Sequence, residues 1–159
     1  MARSIVLRQL TLAPKSRRQL ELKLAERGVP DNVAATVLDR FEQVQLVDDV
    51  EFARMWVSSR ARTRSLARGA LRRELAEKGI APEDAEAALE QLSGEDEMAA
   101  ARELVRRKLR PGQVPGDRTE RDKATRRLAS MLARKGYPPA LAFKVVSEEP
   151  GAGGEGDTP

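Results

Sequence analysis

Leucine recurs at a spacing of four ahead of a glycine in three places along this chain. The segments are LELKLAERGVPDNVAATVL (20–38), LRRELAEKGIAPEDAEAAL (71–89) and LASMLARKGYPPALAFKVV (128–146), and they align without gaps. Each has Leu eight and four residues before its glycine (Gly28, Gly79, Gly136), Ala three before, Arg or Lys just before, and a bulky residue just after. Leu at i and i+4 marks the buried stripe of a helix. The basic residue suits the negative end of the helix dipole, and glycine supplies a left-handed cap. Pro30, Pro82 and the pair Pro138–Pro139 then open a second helix, where a missing N–H costs nothing. Each segment predicts a helix–turn–helix pair.

A second pattern recurs at a displacement of 48 residues: Asp48, Ala53, Arg54, Trp56, Val57 and Arg60 correspond to Asp96, Ala101, Arg102, Leu104, Val105 and Lys108. A further helix therefore precedes each pair, with a shorter version over 5–12. The expectation is an all-α protein of three tandem three-helix repeats, at 3–45, 46–93 and 94–148. Such repeats stack side by side into an elongated, curved helical body. Residues 63–65 are expected to join two helices with Ser65 as N-cap, and the Pro- and Gly-rich stretch 111–117 to form a connection. The tail, 149–159, has almost no apolar side chain and is expected to be disordered.

Composition narrows the chemistry. There is no Cys and no His, which removes disulfides, most zinc geometries and imidazole or thiol catalysis. No catalytic residue, metal site or cofactor is expected, because no nucleophile, base and orienter assemble. Asp48–Asp49 and Glu95–Asp96–Glu97 read as helix N-caps. Gly112 and Gly116 lack the Gly-Lys-Ser/Thr of a phosphate loop. No signal peptide or membrane-spanning segment is visible, so a cytoplasmic, non-membrane protein is expected. Aromatics are few, and Trp56 with Phe52 reads as core packing, not as a base-stacking platform.

Charge is where the chain stands out. The net +4 conceals seven acids and no base over 83–97, and twelve Lys or Arg against four acids over 102–135. Between Glu51 and Glu74 lie seven arginines and no acid. Segregated positive charge points to an anionic partner. The candidate basic face comprises Arg60, Arg62, Arg64, Arg68, Arg72 and Arg73, with a second cluster of Arg106, Arg107, Lys108 and Arg110. Arg68 and Arg72 flank the Leu71/Leu75 stripe and are the strongest individual candidates, although arginine stems also cover core edges. Arg60, Arg62 and Arg64 are placed at a helix end and its junction; Arg126 and Arg127 are weaker candidates. Guanidinium forks suit carboxylates and phosphates alike, so residue type leaves protein and DNA both open.

LVDDVEFARMWVSSR, followed by an Arg-rich junction and LRRELAEKGI, resembles the RecX family of bacterial recombination regulators. SRRQLELKLAERGVP and RRLASMLARKGYPP resemble that family's first and third repeats, so the likeness covers residues 4–148. It implies a non-enzymatic protein, acting as a monomer, that binds the RecA–single-stranded-DNA filament in DNA repair and the SOS response. There it would hinder filament growth, ATP hydrolysis and strand exchange, with contact to the bound DNA included. One departure is local: many members have a Gly-Tyr-Gly type junction where this chain reads Arg62-Thr-Arg-Ser-Leu-Ala-Arg68-Gly69. The alternative is a non-specific DNA-binding helical protein acting through its Arg-rich face; the acidic stretch from Pro82 to Leu92 argues against a sequence-reading helix.

Overall fold

The computed structural model describes residues 1–109 and 117–148. Among the described residues there are nine helices and no strand: α1 (Ala2–Leu12), α2 (Arg17–Glu26), α3 (Asp31–Gln43), α4 (Asp49–Arg64), α5 (Arg68–Glu77), α6 (Pro82–Leu89), α7 (Gly94–Lys108), α8 (Arg118–Arg134) and α9 (Pro139–Glu148). Arg110, most of the 111–117 connection and the 149–159 tail lie outside the described residues. No described helix is long and apolar enough to cross a membrane.

The glycine pattern has a direct structural cause. Gly28, Gly79 and Gly136 stand at φ +79°, +78° and +96°. The amide after each glycine donates back to the Leu four residues before that glycine: Val29 to Leu24 O (2.9 Å), Ile80 to Leu75 O (3.0 Å), Tyr137 to Leu132 O (3.1 Å). The glycine amides donate to Ala25, Ala76 and Ala133. These paired bonds satisfy the last carbonyls of each helix and set the bulky residue against the leucine stripe. Leu20, Leu24, Leu71, Leu75 and Leu132 are essentially inaccessible to solvent.

The turns of the second and third copies dock onto equivalent places. Ser16, just before α2, donates its hydroxyl to Lys78 O (2.7 Å), and a Cβ on Gly79 would meet Arg18 Cβ at 2.4 Å. Fifty-one residues on, Ala67 N donates to Lys135 O (2.8 Å) and Gly69 N to Gly136 O (3.3 Å). A Cβ on Gly136 would lie 2.2 Å from Ala70 N. Gly28 has no such neighbour within 4 Å.

Two carboxylates complete these contacts, in a role the capping reading missed. Asp48 does cap its own helix, through Glu51 N (3.1 Å), and Ser93 caps α7 through Asp96 N (3.0 Å). Asp49 instead accepts from Arg17 N (2.8 Å), and Glu97, displaced by the same 48 residues, from Arg68 N (2.8 Å). Each thus caps another helix, α2 or α5. Burial raises the Asp49 carboxyl above its ordinary value, and the Arg17 amide offsets only part of that. Glu97 is itself buried, so Glu97→Ala strands the Arg68 amide and should cost about 1–3 kcal/mol. Glu97→Gln retains an acceptor and should cost distinctly less. Urea midpoints compare the two, and equal losses would show that the hydrogen bond is not the cause.

The chain divides into two compact units, Met1–Ser59 with Arg72–Gln91 and Arg60–Leu71 with Leu92–Pro159. In the first unit, α1, α2 and α3 enclose a core of Val6, Leu20, Leu24, Leu38, Phe41 and Val47. In the second, α7, α8 and α9 enclose Leu104, Val105, Leu128, Leu132, Val145 and Val146, with Tyr137 among them. Burial, together with the nearby Glu97 charge, pushes the Tyr137 phenol up to about 12. It therefore stays a donor, bonding Ser65 O at 2.7 Å.

Two expectations are corrected. Thr63 and Arg64 belong to α4, whose sequence from Ser58 onward has no Gly or Pro to stop it. Ser65 ends the run by adopting φ +54°, and it lies three residues before α5, too early to be its N-cap. Trp56 is half-buried, unlike Phe52. Its ring stacks on Phe52 (centroids 5.7 Å apart) and has Lys78 Nζ 4.9 Å from its centroid. Its Nε1 donates to Glu74 at 2.9 Å, so the indole closes the core edge with its polar atom satisfied.

Candidate basic interface

The net positive charge is concentrated in the second unit. Its described residues hold sixteen Lys or Arg and eight Asp or Glu, a formal +8, whereas the first unit holds twelve and fourteen, a formal −2. Of the predicted face, Arg72 and Arg73 fall in the first unit and all the others described fall in the second.

The strongest sequence candidates are engaged within the chain. Arg72 Nε and a terminal nitrogen grip Glu86 at 2.6 and 3.2 Å, so its charge is largely answered. Arg68 is half-buried; its amide bonds Glu97, but its guanidinium donates to the Leu92 carbonyl and forms no ion pair with a carboxylate among the described residues. The equivalent Arg17 shows the contrast, with Asp39 at 2.7 Å, Glu42 at 2.6 Å and Glu21 at 3.2 Å. Burial alone would lower the Arg17 pKa, but those three carboxylates outweigh it and hold the group above its ordinary value. Arg68 therefore keeps an uncompensated charge where the first repeat neutralises one.

Arg60, Arg62 and Arg64 lie in the last turns of α4, not in a loop. At 100° per residue Arg60 and Arg64 share a side and Arg62 faces away. Arg62 and Arg64 are exposed, Arg60 is half-buried, and Arg73 is exposed on α5. Arg106 and Arg107 approach Glu103 at 3.7 and 4.0 Å, and Lys108 is exposed at the end of α7.

What connects these clusters is α8. Lys123, Arg127, Ser130 and Arg134 follow a 4-3-4 spacing and so line one side of that helix over roughly 16 Å. The three cations make no ion pair among the described residues, and with Arg126 the stripe borders an open depression of about 420 Å³. Arg127 and Arg134 also line a cleft of about 420 Å³ reaching Lys108 and Leu109, with Glu120 its one acid among the described residues. At the other end, Lys135 Nζ donates to Arg64 O at 2.9 Å, which places the end of α8 beside the end of α4. Arg126 and Arg127, weaker candidates by sequence, thus sit centrally. Lys123 and Arg134 were missed, although their spacing was visible in the sequence.

Models of the first, second and third three-helix domains of RecX match residues 2–41, 48–89 and 95–146. The chain belongs to the RecX family. It is 48% identical over 147 residues to the regulatory protein RecX of Streptomyces coelicolor, covering 92% of this chain and 76% of that one. Against the Mycolicibacterium vanbaalenii protein of the same name it is 45% identical, covering 93% and 82%. A crystal structure of RecX from Lactobacillus salivarius superposes with a TM-score of 0.80 at 18% identity, covering 92% and 93%. A second, of regulatory protein RecX, gives 0.78 at 24%, covering 92% and 70%. The fold is therefore that of three RecX helical domains, and the family is one of regulatory proteins. The α8 stripe falls within the third RecX domain, and Arg60 to Arg73 within the second.

Proposed function

We propose that this chain binds the RecA–single-stranded-DNA filament and restrains it, acting as a monomer by contact and not by catalysis. The observation that carries this reading, beside family membership, is the formal +8 on the described residues of the second unit, with its run of unanswered cations on α8. A RecA filament offers carboxylates on protein and phosphates on DNA, and guanidinium or ammonium groups engage either. A bound chain that bridges neighbouring RecA subunits would oppose the motion needed for ATP turnover and obstruct strand exchange and further growth. With the indole of Trp56 already engaged and Phe143 the one largely exposed aromatic ring among the described residues, stacking on bases has little to work with, so DNA contact is chiefly to the backbone and indifferent to sequence.

Co-sedimentation tests the partner. Filaments assembled on single-stranded DNA with a slowly hydrolysed ATP analogue should carry the chain into the pellet at moderate salt, while the same DNA without RecA should not. Equal retention on naked DNA would favour the alternative, a non-specific DNA-binding protein, and would sink the filament reading.

A further inference from the structure

The first unit carries a feature that the basic face does not use. Between α1 and α3 runs a groove of about 330 Å³, floored by Phe41 and Val37 and walled by Leu7, Val44 and Leu46. Phe41 is buried, but Leu7, Val44 and Leu46 are 42%, 66% and 55% exposed. The cause lies in the helical spacing. Ala34, Leu38 and Phe41 point α3 into the core, while Val37 and Val44, one turn either side of Phe41, carry the apolar surface past the core edge. Single exposed apolar residues are ordinary, but a concave cluster of them is not.

The rim is charged in one sense only. Arg3 stands one turn before Leu7 on α1, and Arg40 one turn before Val44 on α3, and both border the groove. Neither makes an ion pair among the described residues. Yet the same unit is acid-rich, and Arg17 there holds three carboxylates. Two cations left unanswered beside exposed apolar side chains fit a ligand that brings both apolar groups and acids.

We infer that this groove docks an amphipathic helix of a partner protein, with apolar side chains along one face and Asp or Glu at the flanks. The volume suits the side chains of one helix stripe seated between two helices. Nucleic acid fits poorly, since the floor is apolar and the unit's net charge is −2. The chain's own tail carries Glu149, Glu155 and Asp157 but no large apolar side chain to fill the groove.

A fluorescein-labelled helical peptide with Leu at i, i+3, i+4 and i+7 and Glu on both flanks provides the probe, with a Lys-flanked twin as its control. Titrated with the full chain and read by anisotropy, the Glu peptide should bind at least tenfold more tightly than the Lys peptide. Val44→Asp should abolish binding, and Arg3→Glu with Arg40→Glu should reverse the preference between peptides. All three sites are exposed, so unfolding is not expected, and circular dichroism checks it. Lys123→Glu should leave both affinities unchanged. Equal binding of the two peptides, or indifference to the Arg3 and Arg40 reversals, would overturn the inference. So would concentration-dependent dimerisation removed by Val44→Asp, which would assign the groove to a second copy of this chain.

Discussion

Gly136→Ala should lower the thermal midpoint by about 10 °C, while the same change at Gly28 should lower it by only about 3–6 °C. The two glycines occupy the same place in the repeat and both need a left-handed backbone, which costs an L-residue about 1–2 kcal/mol. They differ in what a methyl group would meet. At Gly28 there is nothing within 4 Å; at Gly136 the new Cβ would lie 2.2 Å from Ala70 N and 3.0 Å from Ala67 O. Those atoms are backbone at the start of α5, held by the Ala67–Lys135 hydrogen bond, so they yield only by moving the helix. Overpacking of this kind adds about 1–3 kcal/mol. For a chain of this length about 1 kcal/mol corresponds to roughly 2–4 °C. Gly79 should fall between, since the obstruction there is Arg18, whose Cγ and Cδ can turn aside although its Cβ cannot. Calorimetry on the three single variants reads the order. Equal shifts would mean that left-handed strain alone governs these positions and that the turn contacts contribute nothing.

Reversing α8 should have the largest functional effect. Arg127→Glu with Arg134→Glu changes the local charge by four units on the stripe and should weaken filament binding by roughly a hundredfold near 0.1 M salt. Both side chains are exposed, so the folded state should be little affected. If the partners are DNA phosphates, the salt dependence of binding should also flatten by about one unit of slope for each phosphate no longer engaged. Arg72→Glu is the informative contrast. It breaks a grip on Glu86 within the chain and sets two acids together, so it should lower stability while affecting the filament less than the α8 pair does. Undiminished binding by the folded α8 double variant would remove this face from the account.

Much of this architecture was legible in the residues because it rests on local rules. A leucine pair, an alanine and a glycine at fixed offsets encode both the buried stripe and the hydrogen bonds that close it, and three copies made the reading redundant. The family resemblance rested on those same segments and agrees with the domain matches. What escaped was non-local. Asp49 and Glu97 look like ordinary capping residues, and nothing in their own helices reveals that they cap α2 and α5. Three glycines identical in pattern differ only in what packs on them. Arginine density drew attention to 60–73, where Arg72 turned out to be paired with Glu86, while the sparser 4-3-4 spacing on α8 marked cations that form no ion pair among the described residues. Counting charges locates a basic segment; knowing which charges are already answered requires the fold.

The most direct measurement is ATP hydrolysis by the cognate RecA on single-stranded DNA, titrated with this chain well below the RecA concentration while anisotropy follows its binding to the same DNA without RecA. Strong inhibition at one chain per many RecA subunits, with weak binding to naked DNA, is the expected result, because a chain held on the filament restrains more subunits than it touches. Inhibition that sets in only as naked DNA becomes saturated would contradict it and leave a protein that competes for DNA.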